Sequence, residues 1–553
     1  RGRTMTVQIA TAVRPQGDDL DSVSPVPPDR RAFIVRVASH AAVVIPFAYG
    51  LIGALSRSWI PTADIATIAV RSWDVFGSYA PLVGQRTGLP HSYDLGPLEY
   101  WLLSIPVRID PEHGALWGAA LFATVAAWLS IEAARRAFGS AGGVVCSAAI
   151  VACMVWMPKV ADDPAWNPHF GLLWFFAVLA GACAVCGGSL RWWPVLVASA
   201  SVASQCHLIY AVDSVALVVI SLGVALGYAR RARTGYWFAF CGLGVGLVCW
   251  AAPIYQELAT RAGNLTVLVS ASHAGGDLGA VFGLKTFVAT VLPPMLWCRD
   301  LQAAGPTQIE TIVRGVYFPL VLVALAVTVG PLFVGRRFNS SGLRAAALVS
   351  IVSCAAVALT FAQIPSSATG IPRMVEVVYP VGALAWVSLV WAVCLVVRAS
   401  RLGEALGLAC RAVPRRARRR VASAVLLLAL AAAASVLEIQ GDLGTAYPWR
   451  FTAAVSTASS QIEHSLPPGP VYVRVIGNIK FDLRYAVTTG IVYQLKLAGY
   501  SPEVSVDFDL AELGPGYRRS RLAPSVIIDV HRQGATATVT TRLRKPRKLP
   551  AAP

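Results

Sequence analysis

The stretch FIVRVASHAAVVIPFAYGLIGALSRSWIPTADIATIAVRSWDVFG, residues 33–77, joins a long apolar run to a segment that carries two carboxylates. The run at 33–55 is long enough to cross a bilayer, because about 20 apolar residues span the hydrocarbon core. Asp64 and Asp74 follow it in a chain of 553 residues that has only 29 acidic side chains. The stretch therefore predicts a membrane helix followed by a polar loop whose carboxylates need an explanation.

The composition extends this prediction to the whole chain. Hydrophobic residues make up 56% of it and charged residues 14%, with a mean hydropathy of +0.59, whereas soluble domains are about 25% charged. The net charge of +18 does not indicate nucleic acid, because the arginines concentrate in short loops between apolar runs instead of on one soluble face. We predict a polytopic α-helical membrane protein.

Further apolar runs raise the predicted number of transmembrane helices to about eleven. Positive charge is enriched in cytoplasmic loops, and with the N-terminus inside every short arginine-rich loop falls on that side, while most loop carboxylates fall on the other. Two shorter apolar segments, 95–109 and 283–297, are predicted to lie in or dip into the outer interface. The predicted crossings are 33–55, 114–134, 142–158, 170–187, 193–209, 212–229, 235–252, 316–335, 342–364, 376–398 and 421–438.

Four regions follow from these boundaries. Residues 1–32 are polar and proline-rich and are predicted to form a disordered cytoplasmic tail. Residues 33–438 form the transmembrane domain, with a large first outer loop at 56–113. Residues 439–543 are predicted to form a small extracytoplasmic α/β domain, with strands at 470–476, 503–509, 524–530 and 536–543 and a helix at 485–498. The basic segment 544–553 is predicted to be disordered.

The loops on the predicted outer side each supply polar groups near the ends of membrane helices, where ionisable residues are costly and usually functional. Each group also has an ordinary structural interpretation. Asp64 alone would be a solvated surface carboxylate, the Trp-Asn-Pro turn at 166–168 a helix N-cap, His207 a packed polar residue, and Arg373 a partner of lipid headgroups. No spacing matches a metal, nucleophile or phosphate-loop motif, so the residues alone identify no chemistry.

The order of these segments resembles the GT-C fold membrane glycosyltransferases that use lipid-linked sugars, and more closely a group of actinobacterial multi-pass proteins. The resemblance covers about residues 33–400 and rests on seven elements taken in order. These elements are Asp64; Arg71-Ser72-Trp73-Asp74-Val75 with Pro81-Leu82-Val83-Gly84; Gly96-Pro97-Leu98-Glu99-Tyr100; Trp166-Asn167-Pro168; Gln205-Cys206-His207; Ala252-Pro253 to Gln256 with Gly263-Asn264-Leu265; and Arg373.

The resemblance implies an inverting transfer of sugar from a polyprenyl-phosphate donor to a cell-envelope acceptor at the outer face of the plasma membrane. Such a reaction needs a carboxylate that accepts the proton of the acceptor hydroxyl, and we assign that role to Asp64. His207 and Arg373 are assigned to the donor phosphate, and Asn264, Gln256 and Asn167 to donor binding. Asp74, Asp94 and Glu99 are assigned either to acceptor binding or to a structural role. For Asp74 the structural role is preferred.

The chain departs from the group's pattern at two positions. Asp94-Leu95-Gly96-Pro97 stands where the group has His-Pro-Gly-Pro, and Ala63 precedes Asp64 where the fold commonly has a double acidic motif. A divalent metal is therefore unsupported, although it is compatible with the fold. Two alternative functions stay open, a non-catalytic scaffold or sugar-binding protein of this fold and a transporter of lipid-linked glycans. Neither the sugar, arabinofuranose or mannose, nor the acceptor follows from the sequence.

Overall fold

A computed structural model of the chain describes residues 30–56, 59–89, 91–157, 159–232, 236–260, 262–273, 277–292, 318–365, 375–400, 428–429, 432–437, 449–476, 481–504, 513–518, 525–533 and 536–544. The fold is mainly helical. In chain order its helices are α1 Arg30–Leu55, α2 Ala63–Asp74, α3 Leu98–Ile109, α4 Gly114–Phe138, α5 Ser140–Trp156, α6 Lys159–Asp162, α7 Asn167–Cys186, α8 Trp193–Cys206, α9 Ala211–Ala232, α10 Tyr236–Ala259, α11 Asn264–His273, α12 Gly279–Val291, α13 Phe318–Arg337, α14 Ser341–Ala362, α15 Val378–Arg398, α16 Trp449–Ser465 and α17 Phe481–Leu497.

Within the described residues, eight helices are long and apolar enough to cross a membrane. They include α1, α4, α7, α10 and α13 to α15, and the eighth runs from Leu208 to Arg230. The predicted polytopic membrane protein is therefore confirmed, but the count of eleven is not. The predicted spans 142–158 and 193–209 correspond to the shorter helices α5, of 17 residues, and α8, of 14 residues. Most of the predicted span 421–438 lies outside the described residues.

The two segments predicted to be interfacial are short helices, α3 with 12 residues and α12 with 13. At about 1.5 Å of rise per residue, such helices reach well short of the roughly 30 Å hydrocarbon core. Their interfacial position stays a prediction.

Helix α7 lies at the centre of the helical domain, and all 20 of its residues are buried. It packs against α4, α8 and α9, and the alanine-rich inner face of α4 allows the two helices to approach closely. Pro168 stands in the first turn of α7, where its missing amide N–H costs no intrahelical hydrogen bond. Pro168 therefore suits the start of this buried helix.

The predicted α/β region near the C-terminus is confirmed: within the described residues, four strands form a sheet that packs with α16 and α17. The strands are β1 Pro470–Ile476, β2 Ser501–Glu503, β3 Ser525–Gln533 and β4 Thr536–Arg544, and their order in the sheet is β2-β1-β3-β4. The parallel pairs β1–β2 and β1–β3 and the antiparallel pair β3–β4 have their own apolar core, which includes Val473, Ile491 and Val526. Most of the predicted strand 503–509 lies outside the described residues.

Candidate active site

Asp64 lies in the first turn of α2, a helix within what the sequence suggested was a loop. The indole Nε1 of Trp166 donates a hydrogen bond of 2.8 Å to its Oδ2, and Gln85 Nε2 donates to its backbone carbonyl at 3.2 Å. The side chain is half-buried. A carboxylate at a helix N-terminus is also favourably placed toward the helix dipole. Asp64 is therefore oriented by the Trp-Asn-Pro turn while part of it faces solvent.

Asp94 is buried on the other side of the same turn. Its Oδ2 accepts from Asn167 Nδ2 at 3.2 Å and its Oδ1 from the backbone N–H of Leu208 at 3.1 Å. Asn167 Nδ2 also donates to the carbonyl of Cys206 at 3.0 Å. Burial raises the pKa of Asp94 well above its usual range, and the nearby charge of Asp64 adds to this. Asp94 and Asn167 thus join the first loop to the end of α8.

Two further carboxyl groups lie within electrostatic reach of this pair. Glu99, in the first turn of α3, is buried, and its pKa is raised well above its usual range by burial and then by the charges of Asp94, Asp64 and Asp163. Burial also raises the pKa of Asp163 to about 6, with a further contribution from Asp64. Among the described residues, Glu99 Oε1 has no hydrogen-bond partner. We call Asp64, Asp94, Glu99 and Asp163 the carboxyl cluster.

His207 and Gln205 line the neighbouring end of α8. His207 caps this end, and its Nδ1 accepts from the backbone N–H of Ile209 at 3.3 Å. Gln205 is buried, and its Nε2 donates to the carbonyl of Cys249 at 2.9 Å. Its Oε1 lies so close to Gly96 that a Cβ added there would stand 2.1 Å from it. Two motifs that are distant in the sequence therefore pack directly against each other.

The close approach at Gly96 gives a stability prediction. Gly96→Ala should destabilise the helical domain by about 1–3 kcal/mol, because the new methyl group meets both Gln205 and Pro253, a buried amide and a proline ring. Gly244→Ala is the control, since an added Cβ at this α10 position meets no atom within 4 Å. Thermal unfolding of the purified variants tests the difference. Equal unfolding temperatures would contradict the packing described here.

The predicted sugar-binding amides are engaged with the backbone. Asn264 Oδ1 accepts from the N–H of Tyr93 at 2.9 Å, and its Nδ2 donates to the carbonyl of Tyr93 at 3.0 Å. Gln256 Oε1 accepts from the N–H of Asn264 at 2.9 Å. Asn264 thus stabilises the backbone next to Asp94, and Gln256 holds Asn264 in place. Their role in donor binding stays a prediction.

Asp74, at the other end of α2, lies outside the carboxyl cluster. Its carboxylate accepts from Lys496 Nζ at 2.7 Å, Tyr517 Oη at 3.1 Å and Arg71 Nη1 at 3.2 Å. Lys496 and Tyr517 belong to the C-terminal α/β region. These contacts fit the structural role, which was the preferred alternative for Asp74.

Arg373 lies outside the described residues, so its predicted phosphate contact stays a prediction.

Three groups in or next to the Trp-Asn-Pro-His segment were not assigned a role from the sequence. Trp166 orients Asp64, as described above, and its ring stands 4.7 Å from that of His169 in an edge-to-face arrangement. His169 Nε2 in turn lies 3.6 Å from Glu376 Oε1. The signal was available in Trp-Asn-Pro-His, but a role was assigned there only to Asn167, in donor binding or as a helix N-cap.

Within the part of the chain described here, no group of three or more His, Cys, Asp or Glu side chains is arranged to hold a metal ion. In the carboxyl cluster the pKa values of Asp94, Glu99 and Asp163 are raised, which disfavours their ionisation, while Asp64 and Asp163 are partly exposed. Such an arrangement suits proton transfer at its exposed edge.

Comparisons with known proteins agree with this architecture. No protein-family model matches the sequence, and no curated protein sequence matches it significantly. Among solved structures, ArnT from Cupriavidus metallidurans in the apo state has a TM-score of 0.52 at 17% identity, over 92% of this chain and 97% of that one. The chain has the GT-C fold.

A second structure of ArnT, bound to undecaprenyl phosphate, gives a TM-score of 0.50 at 16% identity, with the same coverage of both chains. At such identities the likeness concerns the fold and not the chemistry. The predicted GT-C-like architecture is therefore confirmed, while the closer resemblance to the actinobacterial group stays a prediction.

Proposed function

We propose that this protein transfers a sugar from a polyprenyl-phosphate donor to a hydroxyl group of a cell-envelope acceptor, with Asp64 as the general base. The observation that carries the proposal is the half-exposed Asp64 carboxylate, oriented by the Trp166 indole at 2.8 Å beside the buried carboxyl groups of Asp94 and Glu99. Burial raises the pKa values of Asp94 and Glu99, which disfavours a build-up of negative charge around Asp64, and a positioned carboxylate is the group that accepts the acceptor's proton.

The reaction balances as a single displacement. The acceptor hydroxyl gives its proton to Asp64 while its oxygen attacks the anomeric carbon, and the bond from that carbon to the phosphate oxygen breaks. Polyprenyl phosphate leaves with the bonding electrons, and attack from the opposite face inverts the anomeric configuration. His207 and Arg373 are proposed to stabilise the phosphate charge as it develops.

Support for the donor class comes from two sources. The fold is that of ArnT, which has been crystallised with undecaprenyl phosphate, and the order of motifs in the sequence resembles enzymes that use lipid-linked sugars. A polyprenyl phosphate keeps its headgroup at the membrane surface, where the first loop begins. We expect residues 63–74, which follow the first membrane-spanning helix, to lie near this surface.

The decisive experiment measures transfer by the purified protein in lipid nanodiscs. Radiolabelled polyprenyl-phosphate arabinofuranose and mannose are each supplied with an envelope extract as acceptor, and label in the glycan fraction is counted. Transfer from either donor supports the proposal. No transfer from either, with measurable binding of one of them, would favour the sugar-binding alternative instead.

The extracytoplasmic orientation is part of the proposal and rests on the arginine distribution. The C-terminal α/β region packs on α2, so it shares one side of the membrane with the carboxyl cluster. A reporter that is active only outside the cytoplasm should give full activity when fused after residue 553. The same reporter fused after residue 420, in the basic loop, should be inactive. Full activity of a cytoplasm-only reporter at 553 would reverse the orientation.

A further inference from the structure

The C-terminal α/β region contacts α2 at its start, in its middle and at its end, and not only at Asp74. At the start of α2, the hydroxyl of Thr489 is shared between the carbonyl of Tyr485 in its own helix, at 2.9 Å, and the carbonyl of Ala63, at 3.2 Å. In the middle, Thr67 Oγ1 and Tyr485 Oη are hydrogen-bonded at 2.8 Å. At the end, Arg71 Nη1 donates to the carbonyl of Leu513 at 2.9 Å, and Lys496 Nζ to Asp74. All four contacts come from a region outside the helical domain.

The contact at Ala63 stands directly before the proposed base. Ala63 has a φ of +52°, a left-handed conformation that residues with a side chain adopt only when their surroundings hold it. Gly490, the next residue after Thr489, lets α17 approach this point. A Cβ added to Gly490 would stand 3.2 Å from the carbonyl oxygen of Pro61. The entry to α2 is therefore shaped by α17.

Asp64 is thus held from two directions. Trp166, at the start of the buried helix α7, fixes the carboxylate, and α17 fixes the backbone that precedes it. A loss of either contact changes the angle and distance at which the carboxylate meets a substrate. Displacements of about 1 Å can cost a reaction about a hundredfold in rate.

We propose that α17 is a positioning element for Asp64, with Thr489 as the residue that acts on it through Ala63. The C-terminal region is then required for turnover even if it never touches the substrate. The inference rests on the proposed function, because it assigns Thr489 a part in the same reaction. It also predicts that the contact with α17 makes α2 more rigid even when no substrate is bound.

Thr489 has a neighbour that serves as a matched control. Thr488 is also buried in α17, and its Oγ1 donates to the carbonyl of Arg484 in its own helix at 2.9 Å. Thr488→Val and Thr489→Val therefore remove the same hydroxyl from the same helix, but only the second removes a contact with α2. Thr489→Ser keeps the hydroxyl and is the rescue variant.

The test measures kcat and the KM for the donor, together with deuterium exchange of residues 62–75 in the absence of substrate. We expect Thr489→Val to lower kcat about tenfold with little change in KM, within the range that a small displacement of a catalytic group can produce. Its 62–75 segment should exchange faster, while Thr489→Ser and Thr488→Val should behave like the wild type. Equal kcat and equal exchange for the two valine variants would overturn the proposal.

If Thr489→Val does not fold, Tyr485→Phe replaces it, because this change removes the phenol contact with Thr67 and keeps the ring. If the wild type transfers sugar from neither donor, the proposed function fails. Deuterium exchange then still decides whether α17 orders α2, with equal exchange of the valine variants counting against it.

Discussion

Asp64→Asn should fold, insert and bind donor normally, and should lose about 10²–10⁴-fold in transfer rate. The amide keeps an oxygen that can accept the 2.8 Å hydrogen bond from Trp166 Nε1, so the geometry of the site is expected to survive. What it lacks is a group that can take the acceptor's proton. The measurement is turnover of wild type and variant at matched amounts of purified protein, with donor binding measured separately.

Asp110→Asn is a close control for this substitution. Asp110 directly follows α3 in the first loop, and its Oδ2, like that of Asp64, accepts from an indole, Trp117 Nε1, at 3.1 Å. The change therefore removes the same charge from a similar contact outside the carboxyl cluster, and transfer should be unaffected. If Asp64→Asn keeps a rate near that of the wild type, Asp64 is not the base, and Asp94 or Asp74 becomes the leading candidate.

The membrane architecture could be predicted because it depends on properties that are local in the sequence. Apolar length and arginine placement located the eight helices of the described residues that are long enough to span, and strand-like alternation located the sheet near the C-terminus. The count of eleven was not confirmed because runs such as 193–209 are apolar enough to suggest a crossing, while the helix there has only 14 residues. Apolarity alone does not fix where a helix begins and ends.

The site could be predicted only in part, because its contacts join residues that are far apart in the chain. Asp64 was singled out by its isolation after a membrane helix, but nothing in the sequence indicated that Trp166 would bond to it. Asn167 and Asp94 carried no sign of being partners. Likewise, Asn264 was assigned to sugar, although its amide pairs with the backbone of Tyr93, 171 positions away. Pairings of this kind depend on the packing of the helices.

The second large effect is expected at Asp74, where the prediction concerns stability. Asp74 is buried and faces Lys496, Arg71 and the hydroxyl of Tyr517. Asp74→Asn leaves the two cations close together without their carboxylate. Loss of one partner from a fully buried ion pair costs about 3–5 kcal/mol. Because the Lys496 side chain is 20% exposed, we expect a loss at or below the lower end of that range.

Lys496→Met is the informative comparison, since it removes a cation but leaves Asp74 paired with Arg71 at 3.2 Å. It should therefore cost clearly less than Asp74→Asn, and the double variant should cost less than the sum of the two. Thermal unfolding of the three purified proteins measures this order. If Asp74 instead binds the acceptor, Asp74→Asn would unfold at the wild-type temperature and raise the KM for acceptor. That result would contradict the structural role, because a carboxylate reserved for substrate contributes little to the docking of the C-terminal region.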